Sequence, residues 1–312
     1  MELRQVRYFV AVAETKSLKN AVERLHIAQP ALSQSIRLLE EELRAELFVR
    51  SRRGMELTGA GHKFLDSAKQ ILREVERARE RVSEEMDNPS GEVYFALPPS
   101  VGEVLSVPLF REVKRRYPNI TLHIEEQTRL DLRQAFNSAT LDLAIYFQVN
   151  TTDDIQQDPL IDEEMYLITR YIEGRELPPE IDFEGLVDYP MIFPRVGSLA
   201  ARNVAGEAAR LEIDLPIRPN RISPATLIEL VQQGVTNSVV PWTLAMDGVR
   251  RKRLSAARIV NPQVSRSLNL VRPSNRYISN ATIAVMGLIR KLTRELHKDD
   301  KWRGVLRLDD NR

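Results

Sequence analysis

Residues 28–43 read AQPALSQSIRLLEEEL, and this short stretch carries two chemistries at helical spacing. Leu32, Ile36, Leu39 and Leu43 recur at steps of four, three and four, which places them on one buried helical stripe. Gln29, Ser33, Gln34 and Arg37 fall on another face, and such short or forked hydrogen-bonding side chains suit base edges and phosphates. Pro30 suits the first turn, where its missing N–H removes no helical bond. The pattern predicts a recognition helix.

The flanking segments supply what such a helix needs. Leu3, Val6, Val10 and Ala13 predict a first amphipathic helix, and Ser17 caps a second through Leu18, Ala21, Val22 and Leu25. His26 and Ile27 fill the turn before residue 28. Beyond Leu43, Leu47 to Arg50 and Met55 to Thr58 are strand-like, with Arg52, Arg53 and Gly54 turning a basic hairpin. Each helix alone would also suit a small bundle with a solvated polar face. Three helices followed by a basic hairpin read as a winged helix-turn-helix.

Residues 1–61, MELRQVRYFVAVAETKSLKNAVERLHIAQPALSQSIRLLEEELRAELFVRSRRGMELTGAG, closely resemble the amino-terminal signature of LysR-type transcriptional regulators. The resemblance implies that Gln29, Pro30 and Ser33 meet DNA in the major groove and that Arg50, Arg52 and Arg53 lie near phosphates. Three positions depart from the usual pattern. Ala28 stands where a capping Ser or Thr is common, Gln34 where Arg is frequent, and Gly59 where an acidic residue usually follows Thr58.

Composition neither demands nor excludes this function. The 312 residues suffice for two or three domains, and 43% hydrophobic content is ordinary for a globular chain. The net charge is +1, and residues 1–87 hold 16 Lys and Arg against 15 Asp and Glu. DNA affinity must therefore come from placement, with Arg50, Arg52, Arg53 and Lys63 clustered and Glu40, Glu41 and Glu42 facing elsewhere. With no cysteine there is no disulfide, thiolate metal site or cysteine nucleophile, which fits a reducing compartment. The amphipathic amino terminus is unlike a secretory signal, and no apolar run has the length of a membrane span, so a cytoplasmic protein is expected.

From Thr58 to Met86 the chain reads as one long helix. Phe64, Ala68, Ile71, Val75, Ala78 and Val82 alternate steps of four and three, the seam of a two-helix dimer. The alternative is packing against its own domain. DNPSG, residues 87–91, then breaks the helix. These signals divide the chain into a DNA-binding domain (1–58), a linker or dimerisation helix (59–87), a hinge (88–91) and a carboxy-terminal domain (92–312).

In that last domain strands alternate with helices, which implies parallel sheets joined by right-handed crossovers. Strands are predicted at Val93–Leu97, Ile120–Ile124 and Leu141–Tyr146, then in MYLIT, MIFP, Pro216–Ile222, SVVP and Ser267–Val271. Helices are predicted in the stretch through Leu105, Leu109, Val113 and Tyr117 that follows Pro98, Pro99 and Ser100, and over Leu130–Ala139, Ser198–Arg210, Pro224–Gln233 and Ile278–Leu296. The family resemblance implies a two-lobed α/β effector domain similar to periplasmic binding proteins. It places lobe I at about 92–162 and 267–300 and lobe II at about 163–266, joined by crossover strands near residues 162 and 266. The runs ALPPSVGEVLSVPLF, VVPWTLA and VSRSLNLV look most like the nitrogen-assimilation-control branch.

Ser100, Thr128, Ser198 and Ser223 stand at or just before predicted helix starts, where backbone N–H groups and a hydroxyl hold anions. In an open parallel sheet such helix starts border the ligand crevice. By resemblance Ser100 and Thr128 match effector-contacting positions, Ser198 more loosely, although each hydroxyl also suits a simple helix cap. Arg195, Arg129 and Arg202 are candidates for a carboxylate fork, against the commoner use of Arg in surface pairs. The scattered His26, His62, His123 and His297, with no phosphate loop, paired-His spacing or nucleophile motif, argue against an enzyme and imply no cofactor. The expectation is a LysR-type regulator, a homodimer or homotetramer, whose partners are promoter DNA, RNA polymerase and a small, anionic effector. An architectural DNA-binding protein with a vestigial cleft is the alternative.

Overall fold

The buried stripe of residues 28–43 organises the head. Helices α1 (Leu3–Thr15), α2 (Leu18–Leu25) and α3 (Gln29–Leu43) pack Leu32, Ile36 and Leu39 against Val6, Phe9, Val12 and Ala21. Ser17 caps α2, its Oγ accepting from the Asn20 amide at 3.3 Å, whereas Ala28 starts α3 with no side-chain cap. Leu43, expected on the stripe, is 37% exposed because the helix ends there, with Arg44 turning the chain at φ 49°.

The computed structural model describes residues 1–51, 54–82, 88–127, 131–138, 140–147, 154–193, 199–219 and 222–308. They group into two compact units, one of residues 1–85 with 131–141, the other of 86–130 with 142–312.

In the first unit β1 (Phe48–Ser51) and β2 (Gly54–Leu57) form an antiparallel hairpin with Phe48 opposite Leu57 and Arg50 opposite Met55. Glu40 ties this hairpin to the recognition helix, its Oε1 accepting from the amides of Leu47 at 2.7 Å and Phe48 at 3.2 Å. The Met55 amide donates to the Lys16 carbonyl at 2.9 Å. Gly54 permits that approach: its φ is +110°, and a Cβ there would lie 2.4 Å from the Lys16 oxygen. Thr58 Oγ1 accepts from the Gly61 amide at 2.9 Å and donates to the Glu46 carbonyl at 2.6 Å, anchoring the next helix although Gly59 offers no acid.

That helix, α4 (Gly59–Val82), corrects part of the expected dimer seam. Ala68 is fully buried in the head's own core, and Phe64, Leu65 and Leu72 pack on it. The seam pattern begins as an intradomain contact because α4 starts directly beneath the wing. Ile71 and Val75 are only half-buried and Ala78 is exposed. Further along, Gln70 Nε2 donates to the Asn137 carbonyl at 3.0 Å and Arg73 Nη2 to the Ser138 carbonyl at 3.2 Å. Residues 131–141, assigned from sequence to the effector domain, thus pack with the head unit.

The second unit opens with β3 (Gly91–Leu97), α5 (Pro99–Arg116), β4 (Ile120–Glu126), α6 (Leu132–Asn137, packed with the first unit) and β5 (Leu143–Phe147). Strands β4, β3 and β5 lie side by side in parallel, as the alternating pattern requires. The sixteen-residue β6 (Ile155–Arg170) then runs on into the second lobe. There Met165 and Leu167 join one core cluster while Tyr166 and Ile168 join another, so both faces are buried and the apolar run is continuous. Lobe II continues through β7 (Glu180–Asp182), a 3-10 helix (Phe183–Asp188), β8 (Met191–Phe193), α7 (Leu199–Arg210), β9 (Ile217–Pro219), α8 (Pro224–Gln232), β10 (Ser238–Pro241), α9 (Trp242–Arg250) and β11 (Leu254–Val260). Strand β12 (Ser265–Pro273) returns to lobe I, followed by α10 (Asn280–Lys298) and β13 (Gly304–Leu306).

The expected crossovers near residues 162 and 266 are β6 and β12, paired antiparallel with Ser267 opposite Asp162 and Arg266 opposite Glu163. Strand order β4-β3-β5-β12-β6 follows, with β13 also on β6. Helices α5 and α10 share a core with this sheet through Leu105, Leu109, Val285, Ile289 and Trp302. At the end of α5, Arg115 and Arg116 draw the Glu112 carboxyl down to about 2, so it stays ionised at ordinary pH. The short β7, β13 and the 3-10 helix, together with α9 and β11, were not anticipated from the sequence pattern.

Candidate nucleic-acid interface and effector cleft

Helix α3 presents Gln29, Pro30, Gln34 and Arg37 to solvent, with Ser33 half-buried beside them. The opposite face is the head core, so the polar face is free for a duplex without any unfolding. Arg37 Nε donates to Glu41 Oε1 at 2.8 Å, an exposed i,i+4 pair worth only about 0.3–0.5 kcal/mol and easily exchanged for a phosphate. Arg50 is exposed on β1. Arg52 and Arg53 lie outside the described residues.

The second candidate lies where the parallel strands end. Leu97, Glu126 and Phe147 close β3, β4 and β5, and the carboxyl ends of such strands form ligand crevices. Ser100, in the first turn of α5, is 5% exposed and is not the helix cap: Pro98 holds that position. The expected cap has another use because Pro98 and Pro99 already set the turn. Instead Ser100 Oγ accepts from Arg266 Nη2 at 2.7 Å. Thr128, Arg129, Arg195 and Ser198 lie outside the described residues. Ser223 is a structural cap, its Oγ accepting from the Thr226 amide at 3.1 Å, and Arg202 is exposed on α7.

Around Ser100 the structure reveals a network that sequence reasoning missed. Arg266 Nε donates to Glu163 Oε2, Trp302 Nε1 donates to Glu163 Oε1 at 2.6 Å, and the Arg266 guanidinium lies 5.5 Å from the centre of the Phe147 ring. Arg266 is 7% exposed and Glu163 1%, so the charges are desolvated and each stabilises the other. The available signal was a charge inside an apolar strand run, Arg266 in VSRSLNLV and Glu163 in DEEMYLIT. Nearby, partial burial and then the neighbouring Glu103 push the Glu126 carboxyl up. Gly102 lets that side chain lie against α5, since a Cβ there would meet Glu126 Oε1 at 2.2 Å.

Residues 3–62 match the model of the bacterial regulatory helix-turn-helix protein of the lysR family, and residues 86–294 match the LysR substrate binding domain. The chain belongs to the LysR family. It is 29% identical over 294 residues to the nitrogen assimilation regulatory protein nac of Klebsiella aerogenes, covering 94% of this chain and 95% of that one. It is 30% identical over 252 residues to the HTH-type transcriptional regulator BsdA of Bacillus subtilis, covering 78% and 85%. Its fold is similar to CbnR, solved in complex with its target DNA, at a TM-score of 0.70 and 23% identity over 95% of this chain and 99% of that one. A full-length OxyR variant from Pseudomonas aeruginosa gives 0.69 and 23% over 94% and 98%.

As a LysR-type transcriptional regulator the chain joins a DNA-binding helix-turn-helix to an effector-binding domain. The family is one of regulators rather than enzymes, which bind promoter DNA and small-molecule effectors and oligomerise. Among the described residues no helix is long and apolar enough to cross a membrane.

Proposed function

We propose that this LysR-type regulator acts in the cytoplasm, reading promoter DNA with α3 in the major groove and sensing a small, anionic organic or amino acid between its lobes. Gln29, Pro30, Ser33 and Gln34 meet base edges. Arg37, Arg50, Arg52 and Arg53 meet phosphates. Ser100, Thr128, Arg195 and Ser198 receive the effector. Its binding changes the angle of the lobes or the packing between dimers, which alters DNA bending and contact with RNA polymerase. The observation that carries the DNA reading is the exposed polar face of α3 over a fully buried apolar one.

Gln29→Ala weakens operator binding by about 1–3 kcal/mol and leaves binding to unrelated DNA nearly intact. Arg50→Ala instead weakens binding to every sequence and lowers the salt slope by about one unit. Gel-shift titrations at several salt concentrations measure both. Equal loss on both DNAs for Gln29→Ala removes its base contact, and an unchanged slope removes Arg50 from the phosphate footprint.

We further propose that residues 1–58 form the DNA-binding domain, 59–87 a dimerising linker, 88–91 a hinge and 92–312 the effector domain, in a homodimer or homotetramer. Ile71 and Val75, half-buried on α4 and outside the head's core cluster, support a seam with a second copy. Ile71→Asp places a charge in that interface and lowers both dimer content and operator affinity. Analytical ultracentrifugation decides: a variant that stays as tightly dimeric as wild type moves the seam elsewhere.

A further inference from the structure

Two extended strands, β6 and β12, carry the backbone between the lobes, and such a pair is a hinge: small changes of φ and ψ near residues 161–163 and 266–268 turn one lobe against the other. The segment after α10 adds a third strand at that place. Strand β13 sets Gly304, Val305 and Leu306 opposite Glu163, Asp162 and Ile161, and the Glu164 amide donates to the Arg303 carbonyl at 3.4 Å. Just before β13 the same segment reaches into both lobes. Trp302 is buried in the lobe I core, whereas Arg303 lies over Trp242, the first residue of α9 in lobe II, its guanidinium carbon 3.5 Å from the ring centre. The ring centre of Tyr166, on the lobe II stretch of β6, is 5.8 Å from the same carbon.

This contact is directional. Asp300 grips the guanidinium as a fork, taking Nε on Oδ1 at 2.7 Å and Nη2 on Oδ2 at 2.6 Å, and the Trp242 indole donates to the Asp300 carbonyl at 3.0 Å. The guanidinium plane is thereby fixed from the end of α10 while its face rests on lobe II. Trp242 is buried with Tyr166, Ile168, Leu227 and Val231, so it cannot follow a rotation without disturbing the lobe II core. Met246 of α9 also packs against both cores, but an apolar contact of that kind lets packed surfaces slide. We propose that residues 299–307 form a strut that sets the angle between the lobes, with Arg303 seated on Trp242 as its footing in lobe II. The strut acts in the chain without any ligand and so goes beyond the effector reading. An effector that turns the lobes has to lift Arg303 off Trp242, and one that leaves it seated acts through contacts between chains.

The chain has no cysteine, so Lys114→Cys on α5 and Glu184→Cys in the 3-10 helix, both at exposed positions, place one spin label in each lobe of the full chain. Double electron–electron resonance, with labelled chains diluted in unlabelled ones, reads the distance between the lobes of one chain. The parent pair gives one narrow distance. Arg303→Ala broadens the distribution and shifts its mean by about 2 Å or more, the scale of a domain rearrangement. Arg307→Ala is the control, because Arg307 Nε donates to Asp162 Oδ2 at 2.6 Å on the crossover itself, and it leaves the distance as in the parent. A broad distribution in the parent overturns the strut, as does an Arg303→Ala distribution as narrow as the parent's or equal broadening in Arg303→Ala and Arg307→Ala. Trp242→Phe keeps a ring beneath Arg303 and loses only the donation to Asp300. Where Arg303→Ala fails to fold, broadening in Trp242→Phe supports the strut and an unaltered distribution overturns it.

Discussion

Trp302→Ala lowers the melting temperature of the second unit by roughly 6–20 °C, on a loss of about 3–5 kcal/mol for an emptied tryptophan site and about 2–4 °C per kcal/mol in a domain of this size. Trp302 is fully buried in the lobe I core, beside α10, and its indole is the partner of Glu163 Oε1. Truncation opens a cavity and strands a desolvated carboxylate oxygen at once. Trp302→Phe separates the two, since it keeps most of the volume and loses only the donor, at about 1–3 kcal/mol. Differential scanning calorimetry reads each transition. Equal losses in the two variants would assign the whole effect to the hydrogen bond, and no loss in either would remove Trp302 from the stabilising core.

Phe9→Ala lowers the stability of the head by about 3–5 kcal/mol. Phe9 is fully buried, and its ring centre lies 5.1 Å from that of Phe48 and 4.9 Å from that of Phe64, the latter edge-on. One side chain therefore joins α1, β1 and α4. A unit of this size holds on the order of 5–10 kcal/mol in total, so operator binding at elevated temperature is lost with the core. Phe9→Leu retains most of the contact and most of the binding. Circular dichroism melts paired with operator titration check the outcome, and an unshifted head transition would contradict the packing.

Local chemistry made the head readable. Leu32, Ile36 and Leu39 announced a buried stripe, and Ser17 announced a cap, because partners three or four residues away decide both. The end of that stripe was less readable, since Leu43 obeys the spacing but lies beyond the core. Phe64 and Ala68 obey a heptad equally well in a dimer or against α1, and only the tertiary packing distinguishes them. In the second unit the crossover positions were legible, but the charges within them were not. Arg266 lies 103 residues from Glu163 and 166 from Ser100, so no window of sequence displays the network. Ser100 lies in the first turn of α5, just after β3, and its expected capping bond to a backbone amide is not made because Pro98, not Ser100, stands at the cap position. Helix α9 and strand β11 were harder to read, because the Asp247-Gly248 pair inside α9 reads as a turn and only Arg251, Lys252 and Arg253 separate the two elements.

Strand β6 leaves lobe I for lobe II, and β12 comes back only after about a hundred further residues, an interval in which the ribosome builds the whole of the second lobe. During that interval the nascent chain holds β3, β4 and β5 with the flank of β5 open and the core face of α5 lacking α10. An unpaired strand flank beside exposed Leu105 and Leu109 invites pairing with other chains. Pauses in translation between residues 170 and 265 thus prolong a sticky intermediate, while synonymous changes that speed this stretch shorten it. The yield of native protein becomes a kinetic property of how quickly β12 and α10 arrive.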